Sequence, residues 1–162
     1  MRTLYLVRHA KSDQSEHLPA DIHRPLNLRG YTDAYKMSAL LKEKKIVPDL
    51  IVSSPAIRAI STALIFAATF EYDPSSIIIR EQLYESSVKD YLDCIGTLGT
   101  QYNQVMVFGH NPVITNCLNS LTTSFTEHMP TCSVAGIRLN EWKDLEENKN
   151  ELAFFDFPKN HF

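Results

Sequence analysis

Apolar and polar positions along the chain fall into blocks that predict alternating strands and helices. Strand-like apolar runs occur at Thr3 to Arg8, Asp49 to Val52, Ile77 to Ile79 and Gln104 to Phe108. The segments between them carry apolar residues at helical spacing. This alternation is typical of a three-layer α/β/α fold with a mostly parallel sheet and helices on both faces.

Cap and breaker residues locate the predicted helices. Asn27 is a good cap for a first helix, which should end near Lys45 because Pro48 cannot continue it. Ser54 is expected to cap a second helix with Pro55 at its first position. The buried stripe of that second helix is predicted at Ile57, Ile60, Ser61, Leu64 and Ala68. Two further helices are predicted around Val88 to Ile95 and from Pro112 through Leu121.

The C-terminal part of the chain has a different pattern. The segments Val134 to Leu139 and Leu152 to Phe157 alternate or are aromatic, and the turn signal Asn148-Lys149-Asn150 lies between them. They predict an antiparallel hairpin at the sheet edge. The 162 residues show no linker or repeat, so we expect one domain over 1–162.

Composition narrows the class of protein. Hydrophobic residues make up 44% of the chain, charged residues 22%, and the formal net charge is −3. Such a chain folds, offers no basic surface for nucleic acid, and has no apolar run near the ~20 residues of a membrane span. Three widely spaced cysteines and the lack of a signal-peptide pattern favour a reducing, cytoplasmic setting.

Candidate chemistry lies where three of the predicted strands end. The first strand ends in Arg8-His9, Arg58 follows the second strand, and His110 follows the fourth. The carboxyl ends of parallel strands share one edge of a sheet, so these four side chains are expected to meet there. Guanidinium groups are planar, permanently charged partners for phosphoryl oxygens. The pattern therefore predicts a phosphate site built from side chains.

This residue set suggests a reaction. A neutral His9 can attack phosphorus and form a phosphohistidine, while neighbouring arginines keep it from becoming protonated. Arg8, Arg58 and a protonated His110 are expected to spread positive charge over the transferring group. With those cations supplied by the protein, neither a metal nor any other cofactor is expected.

Several ordered motifs resemble the histidine phosphatase superfamily, the phosphoglycerate mutase-like branch 1, and within it small SixA-like phosphohistidine phosphatases. The matching segments are Arg8-His9-Ala10, Arg24-Pro25-Leu26-Asn27-Leu28-Arg29-Gly30, Ser54-Pro55-Ala56-Ile57-Arg58-Ala59, Leu83-Tyr84-Glu85 and Val107-Phe108-Gly109-His110-Asn111-Pro112. Alanine at position 10 replaces the glycine usual in the family. The resemblance implies a phosphoglycerate mutase-like fold and a phosphorylated substrate, with a phosphohistidine protein as a candidate.

The same resemblance assigns roles. It implies His9 as the nucleophile and Arg8, Arg58 and His110 as the phosphate pocket. Arg24 matches an additional arginine of the subgroup and is a second-rank substrate-binding candidate; pairing with Asp21 to hold the loop is the alternative. Glu85 is the candidate proton donor to the leaving group, with a helix-capping role as the alternative.

Alternatives to the phosphatase hypothesis also follow from these residues. A phosphoglycerate mutase-like phosphoryl transferase would need to exclude water, which a short chain makes difficult. A non-catalytic phosphate-binding module would have no need of a nucleophilic histidine. Metal binding by the loop residues His17 and His23 would lack a third ligand at suitable spacing, so no metal site is expected.

Overall fold

The fold is built around a central β-sheet. A computed structural model describes residues 1–15, 20–124 and 126–162 of the protein. Its strands are β1 (Arg2–Arg8), β2 (Leu50–Ser53), β3 (Ile78–Ile79), β4 (Gln104–Gly109), β5 (Val134–Leu139) and β6 (Glu151–Asp156). They form one six-stranded sheet in the order β3-β2-β4-β1-β5-β6.

The sheet is mixed in the way the sequence predicts. Strands β3, β2, β4 and β1 run parallel, while β5 is antiparallel to both β1 and β6. The predicted edge hairpin is thus confirmed as the pair β5 and β6. Arg8 is in register with Gly109 and Ser53 with Phe108, so three strands end along the same edge.

Four α-helices of the described chain cover the two faces of the sheet. These are α1 (Leu28–Glu43), α2 (Ile57–Thr69), α3 (Val88–Gly96) and α4 (Val113–Leu121). Successive residues of a strand point to opposite faces, so β1 places Leu4 and Leu6 in the core beneath α3 and α4, and Tyr5 and Val7 in the core beneath α1 and α2. The three-layer α/β/α prediction is therefore confirmed.

Local signals fix the start of α1 but not that of α2. The Asn27 side chain accepts a hydrogen bond from the Gly30 N–H at 2.8 Å, which is the predicted cap. Helix α2 begins at Ile57, two residues later than expected. Its N-cap residue is Ala56, which has no side chain able to cap the helix. The Ser54 hydroxyl instead accepts from the Ala56 N–H at 3.2 Å and turns toward the sheet edge.

The predicted buried stripe of α2 is wrong. Ile57 and Leu64 are among the exposed large apolar residues of the molecule. The buried face consists of Arg58, Ala59, Thr62, Ala63, Ile65, Phe66 and Ala67. Arg58 belongs to this buried face, and its guanidinium donates to Asp21.

Two further observations concern metals and membranes. His17 lies outside the described residues. Among the residues that are described, no group of three or more His, Cys, Asp or Glu side chains is placed to hold a metal ion. Within the same residues, none of the helices combines the length and the apolar composition that a bilayer crossing requires.

Candidate functional site

His9 lies at the end of β1 with its ring held in one orientation. The side chain is buried, and Nδ1 is 2.7 Å from the carbonyl oxygen of Ala10. A carbonyl oxygen only accepts hydrogen bonds, so Nδ1 carries the proton and Nε2 is left with a lone pair. The Ala10 backbone is itself fixed, because its N–H donates to the Thr62 hydroxyl on α2 at 3.0 Å.

The surroundings of His9 keep its ring neutral. Its pKa is lowered to about 3, chiefly by burial and also by His110, Arg58 and Arg8, against the opposing effect of the Ala10 carbonyl. An unprotonated imidazole at pH 7 is the form that can act as a nucleophile.

His110 lies beside His9, at the end of β4. The two ring centroids are 5.2 Å apart. His110 Nε2 forms a 2.7 Å hydrogen bond with the Ser54 hydroxyl, and the His110 backbone N–H donates to the Tyr91 hydroxyl oxygen at 3.1 Å. These contacts from α3 and from the end of β2 position the ring.

The surroundings of His110 disfavour the protonated state that is expected from the sequence. Burial, followed by the charge of Arg58, lowers its pKa to about 4, so the ring is neutral at pH 7. Positive charge at the site therefore comes from the arginines. A phosphate dianion beside the ring would oppose both effects and raise this pKa.

Arg8 reaches the site from β1. Its guanidinium donates to the Met129 carbonyl at 2.9 Å and lies 3.3 Å from His128 Nε2. Burial, followed by the charge of Arg58, lowers the pKa of Arg8. Asn111 also donates to the Met129 carbonyl, at 2.8 Å, so this segment is held from two sides.

Arg58 and Arg24 are joined through Asp21. Arg58 donates to the Asp21 carbonyl oxygen at 2.8 Å and to its carboxylate at 3.0 Å. Arg24 donates to the other carboxylate oxygen at 2.9 Å, and the Tyr84 hydroxyl donates to the oxygen shared with Arg58 at 2.7 Å. The alternative contact considered for Arg24 therefore exists, and it also connects Arg24 to the arginine at the centre of the site.

The Asp21 carboxylate is held ionised by these contacts. The Tyr84 hydroxyl and Arg58 lower its pKa, against a smaller effect of burial. It therefore neutralises part of the arginine charge while fixing where the guanidinium groups lie.

Unsatisfied donors concentrate at this edge of the sheet. Within the described chain, the Nε atoms of Arg8, Arg24 and Arg58 and the Nδ1 atom of His110 are buried without a hydrogen-bond partner. Buried polar groups in proteins are ordinarily paired. Unpaired guanidinium N–H groups suit an oxyanion with several acceptor oxygens, and His110 Nδ1 adds a donor when it carries a proton.

Glu85 lies at the rim and not inside the cluster. Its side chain is exposed and lines a small cleft together with His110. The capping role considered for it is taken by Ser87 and Asp90, which form a reciprocal capping box at the start of α3. The structure thus places Glu85 beside the site without a role in the helix.

Four residues at the site escaped sequence reasoning in this capacity. The sequence indicates Asp21 only as a partner of Arg24 and Ser54 only as a cap, and it assigns no role to His128. Tyr84 was part of a motif without a role. For Asp21 a signal existed, because a carboxylate three residues before Arg24 is the nearest counter-charge to a predicted arginine cluster. Nothing in the sequence brings His128 to Arg8.

Similar solved structures cover nearly the whole chain. SixA from Agrobacterium tumefaciens is 26% identical, with a TM-score of 0.82 and coverage of 97% of this chain and 98% of that one. A protein histidine phosphatase SixA complexed with tungstate is 20% identical, with a TM-score of 0.84 and 98% of each chain covered. A mycobacterial glucosyl-3-phosphoglycerate phosphatase is 15% identical, with a TM-score of 0.68 and coverage of 94% and 98%.

Sequence comparisons identify the family of the protein. No curated protein matches the chain. The family model described as the histidine phosphatase superfamily (branch 1) matches residues 4–94, more than half of the chain. That span contains Arg8, His9, Arg58 and Glu85. The protein belongs to the histidine phosphatase superfamily, branch 1.

Proposed function

We propose that the protein is a metal-independent phosphatase that works through a phosphohistidine formed on His9. One observation carries the proposal: a neutral, buried imidazole has Nδ1–H bound to the Ala10 carbonyl, so its Nε2 lone pair is available next to two arginines. Family membership and the shared fold support phosphatase chemistry.

The first step forms the phosphoenzyme. The His9 Nε2 lone pair attacks phosphorus in line with the leaving group, a P–N bond forms, and the bond from phosphorus to the leaving group breaks. The electron pair of that bond stays on the leaving atom, which takes up a proton. Nδ1–H remains bonded to Ala10 throughout, so the positive charge that develops on the ring is stabilised by the carbonyl dipole.

The second step returns the enzyme. A water molecule attacks phosphorus from the side vacated by the leaving group and loses a proton to a base at the site. The P–N bond breaks, its electron pair returns to His9 Nε2, and inorganic phosphate leaves. The imidazole is again neutral, so protons and charge balance over the cycle.

Charge stabilisation falls to the guanidinium groups. Arg8 and Arg58 would contact the equatorial phosphoryl oxygens in both steps, since electrostatic stabilisation dominates phosphoryl transfer. Arg24 is placed to assist through its link to Asp21. His110, fixed by Ser54, would become an effective donor when phosphate raises its pKa.

Glu85 is the proposed proton donor to the leaving group and the base toward water. It lines the cleft beside His110, where a leaving group would depart. Glu85→Gln should slow hydrolysis of alkyl phosphates about 10²-fold and that of aryl phosphates much less, since an aryl oxide leaves without a proton. The measurement is kcat/KM for both ester types, which reports formation of the phosphoenzyme; equal losses would remove Glu85 from the role of proton donor.

Substrate, setting and extent complete the proposal. Solved relatives include SixA phosphohistidine phosphatases and a phosphatase for a small sugar ester. We propose protein phosphohistidine or small phosphomonoesters as substrates, with no role for nucleic acid or membranes. Free, buried Cys94, Cys117 and Cys132 fit the cytoplasm. Residues 1–162 are proposed to form one histidine phosphatase domain.

Trapping the intermediate tests the mechanism directly. Rapid quench with ³²P-labelled substrate should give an acid-labile, base-stable phosphoenzyme, and His9→Ala should abolish it. His23→Ala is the matched control, because His23 is an exposed residue at the end of a short 3-10 helix and takes no part in the hydrogen bonds of His9. Label retained in His9→Ala would place the nucleophile elsewhere.

The two alternatives predict different behaviour. Hydrolysis of p-nitrophenyl phosphate in the presence of a chelator is expected, with phosphate released to water. Transfer to an added acceptor in preference to water would indicate a mutase. Tight binding of tungstate without turnover by folded protein would indicate a binding module.

A further inference from the structure

A second cleft has Arg8 in its lining. It has a volume of about 420 Å³ and is lined by residues from four parts of the chain. Arg8 and Lys11 come from the end of β1, Arg29 from α1, His128 from the segment before β5, and Lys159 from the C-terminal turn. Arg8 lines this cleft and is also a ligand of the proposed phosphate site, so the cleft adjoins that site through Arg8.

The charge of the cleft is opposite to that of the molecule. Four of its lining side chains are cationic, namely Arg8, Lys11, Arg29 and Lys159, and one is a carboxylate, Asp33. That carboxylate is matched by Arg29 at 3.5 Å. Within the described residues, Lys11 and Lys159 have no ion-pair partner. The whole chain carries −3, so this local excess of positive charge is built by the fold.

The backbone that carries these lysines is fixed from both sides. The Lys11 carbonyl accepts from the Asn27 N–H at 3.0 Å, and Gly30 packs so closely on it that a Cβ there would overlap the carbonyl. At the other wall, the buried Asp156 carboxylate accepts from the Phe157 N–H at 2.9 Å and from the Asn160 amide at 3.1 Å. The His161 ring lies 2.8 Å from the same carboxylate.

We propose that this cleft is a selectivity subsite for a second anionic group on the phosphorylated substrate. The proposal rests on the proposed function, because it takes the phosphoryl group to be bound between Arg8 and Arg58. The chemistry recognised is a carboxylate or phosphate attached near the phosphoryl group. An acidic residue beside a phosphohistidine in a protein, or a second anion on a small phosphomonoester, would supply it.

Phe157 and Pro158 add an apolar wall to the same cleft. An acidic side chain on a peptide would place its carboxylate between Lys11 and Lys159 and its backbone against this wall. A free inorganic ion would use only the charges. The combination selects a substrate that has a second anion attached to a carbon framework.

Paired substrates test the subsite. In one arm, kcat/KM is compared for two phosphohistidine peptides that differ only in Glu or Gln next to the phosphohistidine. In the other arm, phenyl phosphate is compared with its carboxylate-substituted analogue. The anionic member is expected to be favoured about fivefold in at least one arm, as exposed ion pairs permit. The arm that shows the preference identifies the source of the second anion.

Substitutions locate the preference. In Lys11→Gln/Lys159→Gln the ratio between anionic and neutral substrates should fall to about one. Lys143→Gln should leave this ratio unchanged. Lys143 is exposed and follows β5, whose last residue pairs with the start of β1, whereas Arg8 of the cleft lies at the end of β1. Binding of the unphosphorylated acidic peptide by calorimetry should weaken in parallel with the ratio.

The outcomes separate this proposal from the proposed function. If phenyl phosphate and both peptides are hydrolysed with no preference in either arm, the subsite is overturned and the phosphatase stands. A preference that survives in the double lysine variant also overturns it. If no substrate is turned over, the phosphatase function fails, and the calorimetry with wild-type and double-variant protein still decides the subsite.

Discussion

At the scale of single residues, the site depends on keeping two imidazoles neutral inside a cationic cluster. His9 and His110 are buried with pKa values lowered to about 3 and about 4, chiefly by burial. The unfolded chain binds protons at the ordinary pKa of about 6.5. Folding therefore excludes protons from both rings at mildly acidic pH, and this couples the catalytic form of His9 to the stability of the protein.

The pH dependence of unfolding follows with a definite sign. Below pH ~6.5 the two histidines bind protons in the unfolded state but not in the folded state. The free energy of unfolding therefore falls as the pH falls toward the folded pKa values. Each ring contributes ~1.4 kcal/mol per pH unit, or about 3 kcal/mol per unit together. Urea unfolding at pH 7 and pH 5 should show this loss, and His9→Asn/His110→Asn should flatten it. An equal slope in the variant would contradict the buried, neutral state.

Single residues also show why the roles of some site members were hidden in the sequence. Ser54 has the ordinary appearance of a helix cap before a proline, yet its hydroxyl bonds to His110 Nε2 at 2.7 Å. Asp21 looks like a loop residue, yet it binds both Arg24 and Arg58. Short-range signals in the sequence identify which residues are able to take part in the chemistry. Their partners are set by the meeting of distant segments, which the sequence alone does not contain.

At the scale of elements, the approach of α3 to the end of β4 fixes His110. Gly109 has no side chain, and a Cβ there would overlap the Tyr91 hydroxyl oxygen. That oxygen accepts the His110 backbone N–H at 3.1 Å, and its own proton goes to the Leu83 carbonyl at 3.3 Å. The absence of a side chain at position 109 thus allows the tyrosine to set the turn that carries His110.

Substitution at this contact should therefore be non-additive. Gly109→Ala is expected to cost about 1–3 kcal/mol of unfolding free energy by overpacking, and Tyr91→Phe about 1 kcal/mol by leaving the His110 N–H unpaired. The double variant should lose less than the sum, because removing the hydroxyl frees the space that the new methyl group needs. Chemical denaturation of the four proteins measures this, and strict additivity would exclude the contact as the cause.

Helix α2 shows where pattern reading stops. Its sequence is apolar on nearly every side, so periodicity alone does not choose the buried face, and the stripe predicted from Ile57 and Leu64 is wrong. The mostly parallel sheet, the edge hairpin and the meeting of strand ends were predictable, because they follow from alternation and parallel pairing, whereas the order of the strands in the sheet was not. The predicted position of Arg58 at the site would have identified the buried face of α2. Residues 58 and 62 lie on the same side of a helix, so a helix that directs Arg58 inward also buries Thr62.

At the scale of the whole molecule, the net charge and the local charge oppose each other. The chain carries −3, which repels an anionic substrate at long range, whereas Arg8, Arg24 and Arg58 attract it at short range. The Debye length is about 10 Å at 0.1 M salt and about 3 Å at 1 M. At 0.1 M salt, the charges of the distant surface are already screened from the site. Raising the salt from 0.1 M to 1 M therefore mainly weakens the attraction between the arginines and a substrate within a few ångströms of them.

Salt should therefore lower kcat/KM for p-nitrophenyl phosphate. Between 0.1 M and 1 M NaCl we expect a fall of about threefold to tenfold, mostly through KM, because the arginine charges act on substrate binding. Arg24→Gln should make the dependence shallower, since it removes one cation at the site edge, and Lys143→Gln should not. A rise of kcat/KM with salt would mean that the overall negative charge governs the approach of the substrate, and that the arginine cluster, neutralised by Asp21, contributes little field beyond contact.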